Sequence, residues 1–314
     1  MLGHSKLTAA TTSTLLCGAA ILALLVVARP TQLALLDPGM GGSGASPDLA
    51  ATPDRGCHDR QLGVATAFNL FLLGDLEQRG SDTEGRVAVG GKATLTDYSV
   101  GAALPPGTLD ETLIVGGALT IQHGAIATGD AVSGESATLE NISFAPNSGY
   151  RRALPLDFVD AARSLRNIST AYGSVPPSGT TRLEYSRLLL EGTASDLNVF
   201  TVRAADLAAA STIAVRVPAG STVLVNVSGE DVSLENLGFD LAGLGADKIL
   251  YNFPVARRLL LRGIGIQGSI LAPWASIDFQ NGAIKGTLIG TSLTGPGQMN
   301  QLAFSGCIAS NLTR

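Results

Sequence analysis

Apolar residues along most of this chain come in short runs, and the clearest example lies between Leu259 and Gly306. There Gly268 and Gly286, 18 residues apart, open the runs Ser269-Ile270-Leu271-Ala272 and Thr287-Leu288-Ile289-Gly290. Between them Ala275, Ile277 and Phe279 alternate with Ser276, Asp278 and Gln280, and Asn281-Gly282 follows. Alternation with a period of two predicts half-buried strand, and Asn-Gly predicts a tight reversal. A strand-and-turn unit returning roughly every 18–25 residues predicts a solenoid coil, each turn covering the apolar edge of the next.

The same rhythm extends upstream. Val64 to Asp75 is an apolar run closed by Gly-Asp, and the polar segment Glu77 to Glu84 follows it. Val87 and Val89 alternate with smaller neighbours before the pair Gly90-Gly91, and Leu113 to Ile121 repeats this cadence with its own pair, Gly116-Gly117. Further short strands are expected at 126–132, 137–144, 182–191, 197–202, 212–217 and 222–227, with 234–244 irregular and 249–252 leading into the stretch from Leu259. One segment departs from the pattern. Phe158, Ala161, Ala162, Leu165 and Ile168 recur at helical spacing, with Asp157 or Asp160 near the start and Gly173 beyond the end. This predicts one amphipathic helix lying along the solenoid.

Composition supports a narrow stacked core. Apolar residues make up 45% of the 314, but aromatics only 5%, and there are 38 glycines. A β-sandwich shares that composition; small and β-branched side chains favour the solenoid. The net charge of −5, with no basic run, argues against a nucleic-acid partner.

Residues 1–34 read as a targeting segment. His4 and Lys6 precede an uncharged stretch densest from Leu15 to Ala28, short for a bilayer span and suited to a secretory signal. Two readings stay open: a signal cleaved near Ala28 or Ala34, or an uncleaved anchor that would be the sole membrane contact. Either exports the body. Residues 35–56, rich in Gly, Pro, Ser and Ala, read as a disordered linker before a domain at 57–308 and a short tail at 309–314. Cys57 and Cys307 then stand one at each end of the exported domain, and in an oxidising compartment they are expected to pair. Closing so long a loop is worth upward of ~4 kcal/mol in the chain-entropy view, and requires the two ends to meet. A solenoid wound in one direction would hold them apart.

The segments Phe68 to Asp75, Ser81 to Gly91 (SDTEGRVAVGG) and Tyr98 to Gly101 resemble the opening of the choice-of-anchor A domain of bacterial surface proteins. Gly268 to Ala275 (GSILAPWA), Gly286 to Ser292 and Phe304 to Gly306 resemble its end. The resemblance covers about residues 60–307 and is also described as an adhesive or collagen-binding-like domain. It implies a mainly β fold: an irregular right-handed β-solenoid with one flanking α-helix, akin to the scaffold of some ice-binding proteins. It also implies a non-catalytic cell-surface or extracellular adhesion module without cofactors, whose ligand would be a matrix protein, a glycan or a neighbouring cell. The C-terminal sorting signal usual in that family is absent after Cys307 in the sequence given.

Candidate chemistry is sparse. His58 and His123 are the exported histidines, and His123 in Ile121-Gln-His-Gly reads as a solvated turn residue. With the cysteines paired, no zinc-type ligand spacing remains, and no nucleophile-elbow pattern occurs. Asp75, Asp82 and Glu84 cluster in sequence and could ligate Ca²⁺, though solvated turn residues are the plainer reading. The glycine pairs lack the Lys-Ser/Thr of a phosphate loop and fit close coil packing or left-handed backbone instead. Thr94, Thr96, Thr120, Thr128 and Thr138 suggest an ice-binding rank but follow no constant period. A polysaccharide-active enzyme needs convergent carboxylates on adjacent coils, which the sparse charges do not predict. Trp274, the single tryptophan, is either a core filler or an exposed contact. Asn141, Asn167, Asn226 and Asn311 head glycosylation sequons, meaningful in a eukaryotic host.

Overall fold

A computed structural model of the chain describes residues 61–108 and 110–308. The targeting segment, the linker, Cys57, His58 and the tail with Asn311 lie outside the described residues.

The chain enters through a short 3-10 helix, Gly63–Ala67, and winds through β1 (Leu70–Leu72), β2 (Leu76–Thr83), β3 (Val87–Val89), β4 (Ala93–Val100), β5 (Glu111–Val115), β6 (Leu119–Ile126), β7 (Asp130–Ser133), β8 (Ala137–Phe144) and β9 (Tyr150–Arg152). Helix α1 (Phe158–Gly173) follows, then β10 (Thr180–Glu184) and β11 (Arg187–Glu191). The second series is β12 (Leu197–Arg203), α2 (Ala204–Ala209), β13 (Thr212–Arg216), β14 (Thr222–Ser228), β15 (Asp231–Glu235), β16 (Gly238–Asp240), β17 (Ile249–Asn252) and β18 (Arg258–Gln267). It closes with β19 (Ser269–Leu271), β20 (Ser276–Lys285), β21 (Leu288–Gly290), β22 (Ser292–Thr294) and β23 (Gln298–Asn300).

Successive coils stack by parallel pairing into a β-solenoid. One side, face A, is a ten-stranded sheet in the order β12-β14-β17-β19-β21-β1-β3-β5-β7-β9. The long strands bend midway and so make two sides. Their first halves, with β15 and β22, form face B; their second halves, with β23, form face C. At the β12 end the third side is a separate sheet, β10-β11-β13-β16.

The strand order carries the main topological finding. β1 pairs with both β3 and β21, so the chain starts in the middle of its own stack. The first coils wind outward to β9. Helix α1 then carries the chain back, and the second series winds inward from β12 until β21 meets β1. The helix has the length this return demands. Its first residue Phe158 packs on Phe71 of β1 and abuts Gly90 beside β3, while Tyr172 bonds Asn226 of β14. From β3 to β14 there are five strand spacings, about 24 Å, and sixteen helical residues also rise about 24 Å.

Two apolar layers result. Inside the coils Leu70, Val87, Leu95, Tyr98, Ile121, Phe200, Phe253, Phe279 and Met299 are fully buried. Between face A and α1 lies a second layer with Phe71, Ala88, Ile114, Leu224, Leu250, Leu271 and Ile289 from the sheet and Ala161, Leu165 and Tyr172 from the helix. This explains why face A strands are buried at successive positions instead of alternating: both their sides are covered.

Several expectations are corrected. A second, short helix, α2, joins the flanking helix predicted from sequence. Residues 182–191 are not one strand but the antiparallel hairpin β10–β11, turning at Tyr185 and Ser186 with φ of 45° and 62°. Neither residue is a usual left-handed turn former, which hid the hairpin. Asn281 does not reverse the chain; with φ 62° it bends β20 while pairing continues through Gly282 to Ile264. The polar segment after Asp75 is strand β2, whose outward side faces solvent. The glycine pairs serve close packing and not left-handed backbone: a Cβ on Gly116 would lie 2.2 Å from the Gly90 carbonyl oxygen, and one on Gly134 2.4 Å from that of Gly116.

Candidate functional surface

Face A is closed by α1, which leaves faces B and C, together with the sheet β10-β11-β13-β16 at one end, as the sheet surfaces that meet solvent. Along face B every second side chain points outward, and parallel register lines these up at steps of about 4.8 Å. Thr294, Glu77, Thr94, Thr120 and Thr138 stand in one column. Beside it run Arg79, Thr96, Gln122 and Glu140. The threonines are spaced irregularly in sequence because the longer connection between β4 and β5 lengthens one coil while the β4–β6 register on face B is kept. Thr94, Thr120 and Thr138 therefore stack although they follow no constant period in sequence, whereas Thr128 is buried elsewhere. Toward the β15 end, face B carries exposed ion pairs between neighbouring coils, Arg258–Asp231 and Arg262–Glu235. Each such surface pair contributes about 0–1 kcal/mol.

Face C is built of small side chains: Asp82, Ser99, Ala125 and Ser143 in one series, Gly265, Ala283 and Gln298 in the other. The edge between faces B and C is a column of left-handed residues, Gly80, Asp97, His123 and Asn141, with φ between 50° and 62°. Gly, Asn, Asp and His are the types that tolerate this backbone, which gives His123 a structural reason to be there. Its ring contacts the Asn141 amide at 3.2 Å.

The remaining sequence candidates scatter. Asp75 accepts from the Lys92 N–H at 3.0 Å and Glu84 from the Gln301 N–H at 2.7 Å, each capping a different coil junction. Burial, with Glu84 adding a smaller repulsion, holds the Asp82 carboxyl above its usual range against a hydrogen bond from Gln298. Trp274 is half-buried, with the guanidinium groups of Arg166 and Arg257 at 4.3 and 5.1 Å from its ring, and it borders a groove of about 680 Å³ beside α1. Among the sequons, Asn141 and Asn167 are exposed, but Asn226 is 5% exposed and bonds Tyr172 and Asn252.

The two ends of the described residues come together. The Ile308 N–H donates to the Gln61 side chain at 3.0 Å, and the Cys307 N–H to Thr222 Oγ1 at 2.7 Å. Sequence reasoning missed the residue that seals the seam between first and last coils. Asn69, 1% exposed, donates to the carbonyls of Gly286 (2.6 Å) and Asn300 (3.2 Å) and accepts from the Gly85 N–H.

A family model described as "Putative Ice-binding-like adhesive domain" matches residues 61–301. Two solved structures are similar at low identity. One is an ice-binding protein from the Antarctic ascomycete Antarctomyces psychrotrophicus, 12% identical over 76% of this chain and 96% of that one, with a TM-score of 0.32. The other is an ice-binding protein from an Antarctic bacterium, Flavobacteriaceae, 11% identical over 73% and 75%, with a TM-score of 0.25. No curated protein matches the sequence.

Proposed function

This chain belongs to the ice-binding-like adhesive domain family, and from that premise we propose that it is an exported, non-catalytic adhesion module that holds its ligand on faces B and C. The observation that carries the reading is the disposition of the three sides. A helix closes one, and the other two are parallel sheets whose outward side chains are ordered in columns, threonines beside Arg79, Gln122 and Glu140 on face B and mostly short polar or small residues on face C. A rigid surface of this kind binds by area and register without side-chain rearrangement, so little rotamer entropy is lost on contact. The choice-of-anchor A resemblance fits the same role at a bacterial surface. The export segment and the Cys57–Cys307 bond belong to the proposal too, since an extracellular module needs both delivery and a seal on its ends.

Retention of the full chain on a panel of matrix proteins, glycans and whole cells tests this. At least one surface should hold the protein, and Ser99→Lys with Thr120→Lys should lower retention about tenfold, roughly 1.4 kcal/mol. Retention on none of them would refute the module.

One observation favours a second reading, ice binding: the in-register Thr94, Thr120 and Thr138 present hydroxyl and methyl groups at a fixed repeat. Glu77 interrupts that column and Arg79 and Glu140 flank it, which is why adhesion ranks first. Inhibition of ice recrystallisation, lost in Thr120→Lys, would reverse the ranking.

A further inference from the structure

One coil takes the corner between faces B and C differently from its neighbours. Asp278 pairs with Thr294 and Ala283 with Gln298, so four residues of β20, Phe279 to Gly282, lie beside only three, Gly295 to Gly297. On the other side Glu77 pairs with Thr294 and Thr83 with Met299, so Gln78 to Asp82 lie beside the shorter Gly295 to Gln298. The shortened coil cuts inside the corner. Gly295 has φ 102°, and a Cβ there would come within 2.3 Å of the Phe279 carbonyl oxygen. A Cβ on Gly297 would lie 1.9 Å from the Phe279 ring. Only glycine lets the backbone press so far inward, and the outer surface is left with a notch of about 570 Å³, within the range of small-molecule sites.

The notch exposes the wall of the solenoid to an unusual residue. Gln78 occupies an inward position in register with Leu95, is 2% exposed, and lines the notch. Neither its amide nitrogen nor its amide oxygen has a hydrogen-bond partner. A buried polar group left unpaired costs about 1–3 kcal/mol, so a glutamine among leucines here calls for a reason. Around it stand Gln122 and Gln280, whose amide nitrogens each already donate one hydrogen bond, to Glu140 (3.3 Å) and Asp278 (2.6 Å), and the hydroxyl of Thr96, with Glu77 and Arg79 at the rim. No ion pair engages either rim charge among the described residues. Donors and acceptors are thus interleaved, and the rim charges cancel. An anion would meet Glu77 and a cation Arg79, whereas hydroxyl groups, each donor and acceptor at once, can satisfy all of these partners.

We propose that this corner notch binds a neutral glycan, with Gln78 as the floor contact and Arg79 and Glu77 clamping hydroxyls at the rim. The notch would then supply the specificity of the adhesive surface, and in that biological setting the idea rests on the adhesive reading.

Calorimetric titration of the full chain with four neutral hexasaccharides (cello-, malto-, manno- and chitohexaose) tests it. At least one should bind with a Kd below about 1 mM. Gln78→Leu and Arg79→Ala should each weaken that binding at least tenfold, while Val159→Ala, exposed on helix α1 away from faces B and C, leaves it unchanged. Gln78→Leu should also unfold at a higher temperature than the parent, since it removes an unpaired buried amide; Arg79→Ala is exposed and serves if the first variant misfolds. No binding to any of the four sugars, or binding indifferent to both variants, overturns the proposal. The two readings fail separately: surface retention that survives Arg79→Ala leaves adhesion standing without the notch, and sugar binding by a chain retained on no surface refutes adhesion alone.

Discussion

Gly116 shows at the residue scale what the solenoid demands of its corners. It sits between Gly90 and Gly134 with carbonyl oxygens too close for a side chain. Gly116→Ala is expected to force the β5–β6 corner away from its neighbour and to destabilise the fold by roughly 2–4 kcal/mol, read as a lowered urea midpoint. The opposite corner tolerates more. His123 holds φ 57°, and replacing it by glycine should be near neutral, while His123→Val should cost about 1–3 kcal/mol by the same measurement. The glycine pairs were conspicuous in the sequence, and close packing was one of the two roles read from them. The left-handed column was not legible, because Gly80, Asp97, His123 and Asn141 share no residue type and only register reveals that they are one feature.

Among the elements, α1 was the most legible, its apolar spacing and the Asp157 cap being local features. What fastens it was not. Asn252 donates to the Ser169 carbonyl (2.9 Å) and to Asn226 (2.8 Å) and accepts from the Ser169 hydroxyl (2.6 Å), all buried. Asn252→Ala leaves those partners unpaired and should destabilise by about 2–4 kcal/mol, with amide exchange accelerated first in the C-terminal half of α1. Strands that alternate apolar and polar residues, such as β8 and the first half of β20, could be read directly. Strand β2 could not, since its outward side is polar and the notch places glutamine at an inward position. The hairpin β10–β11 escaped because its turn lacks the usual residues.

For the whole molecule, the decisive matter is that the chain closes on itself. The described ends meet at Gln61 and Ile308, so non-reducing peptide mapping should recover Cys57 and Cys307 in one linked fragment; free thiols at both would refute the bond. Buried tyrosines set the alkaline limit. Burial holds the hydroxyls of Tyr98 and Tyr251 well above their ordinary range, with the Thr83 hydrogen bond partly opposing this for Tyr98, and burial pushes Tyr172 up to about 12. The folded state thus prefers the neutral phenol. That stability is fully present below pH 10.0, the ordinary tyrosine value, and is lost as pH rises toward 12 and beyond. Tyrosinate absorbance should therefore rise cooperatively with loss of circular dichroism, instead of following a simple titration.

The sequence by itself determined the local vocabulary of this protein: short strands of period two, glycine corners and one amphipathic helix. Each is written in neighbouring residues, where periodicity and backbone preference act. It did not determine the order of stacking. Parallel strands pair through contacts far apart in the chain, and any coil edge offers the next the same backbone groups. Only the tertiary structure decided that the first coil sits between the last and the second, through a helix of matching length and the buried bonds of Asn69. The same long-range register turned unevenly spaced threonines into a column and left one coil a residue short, opening the notch over Gln78.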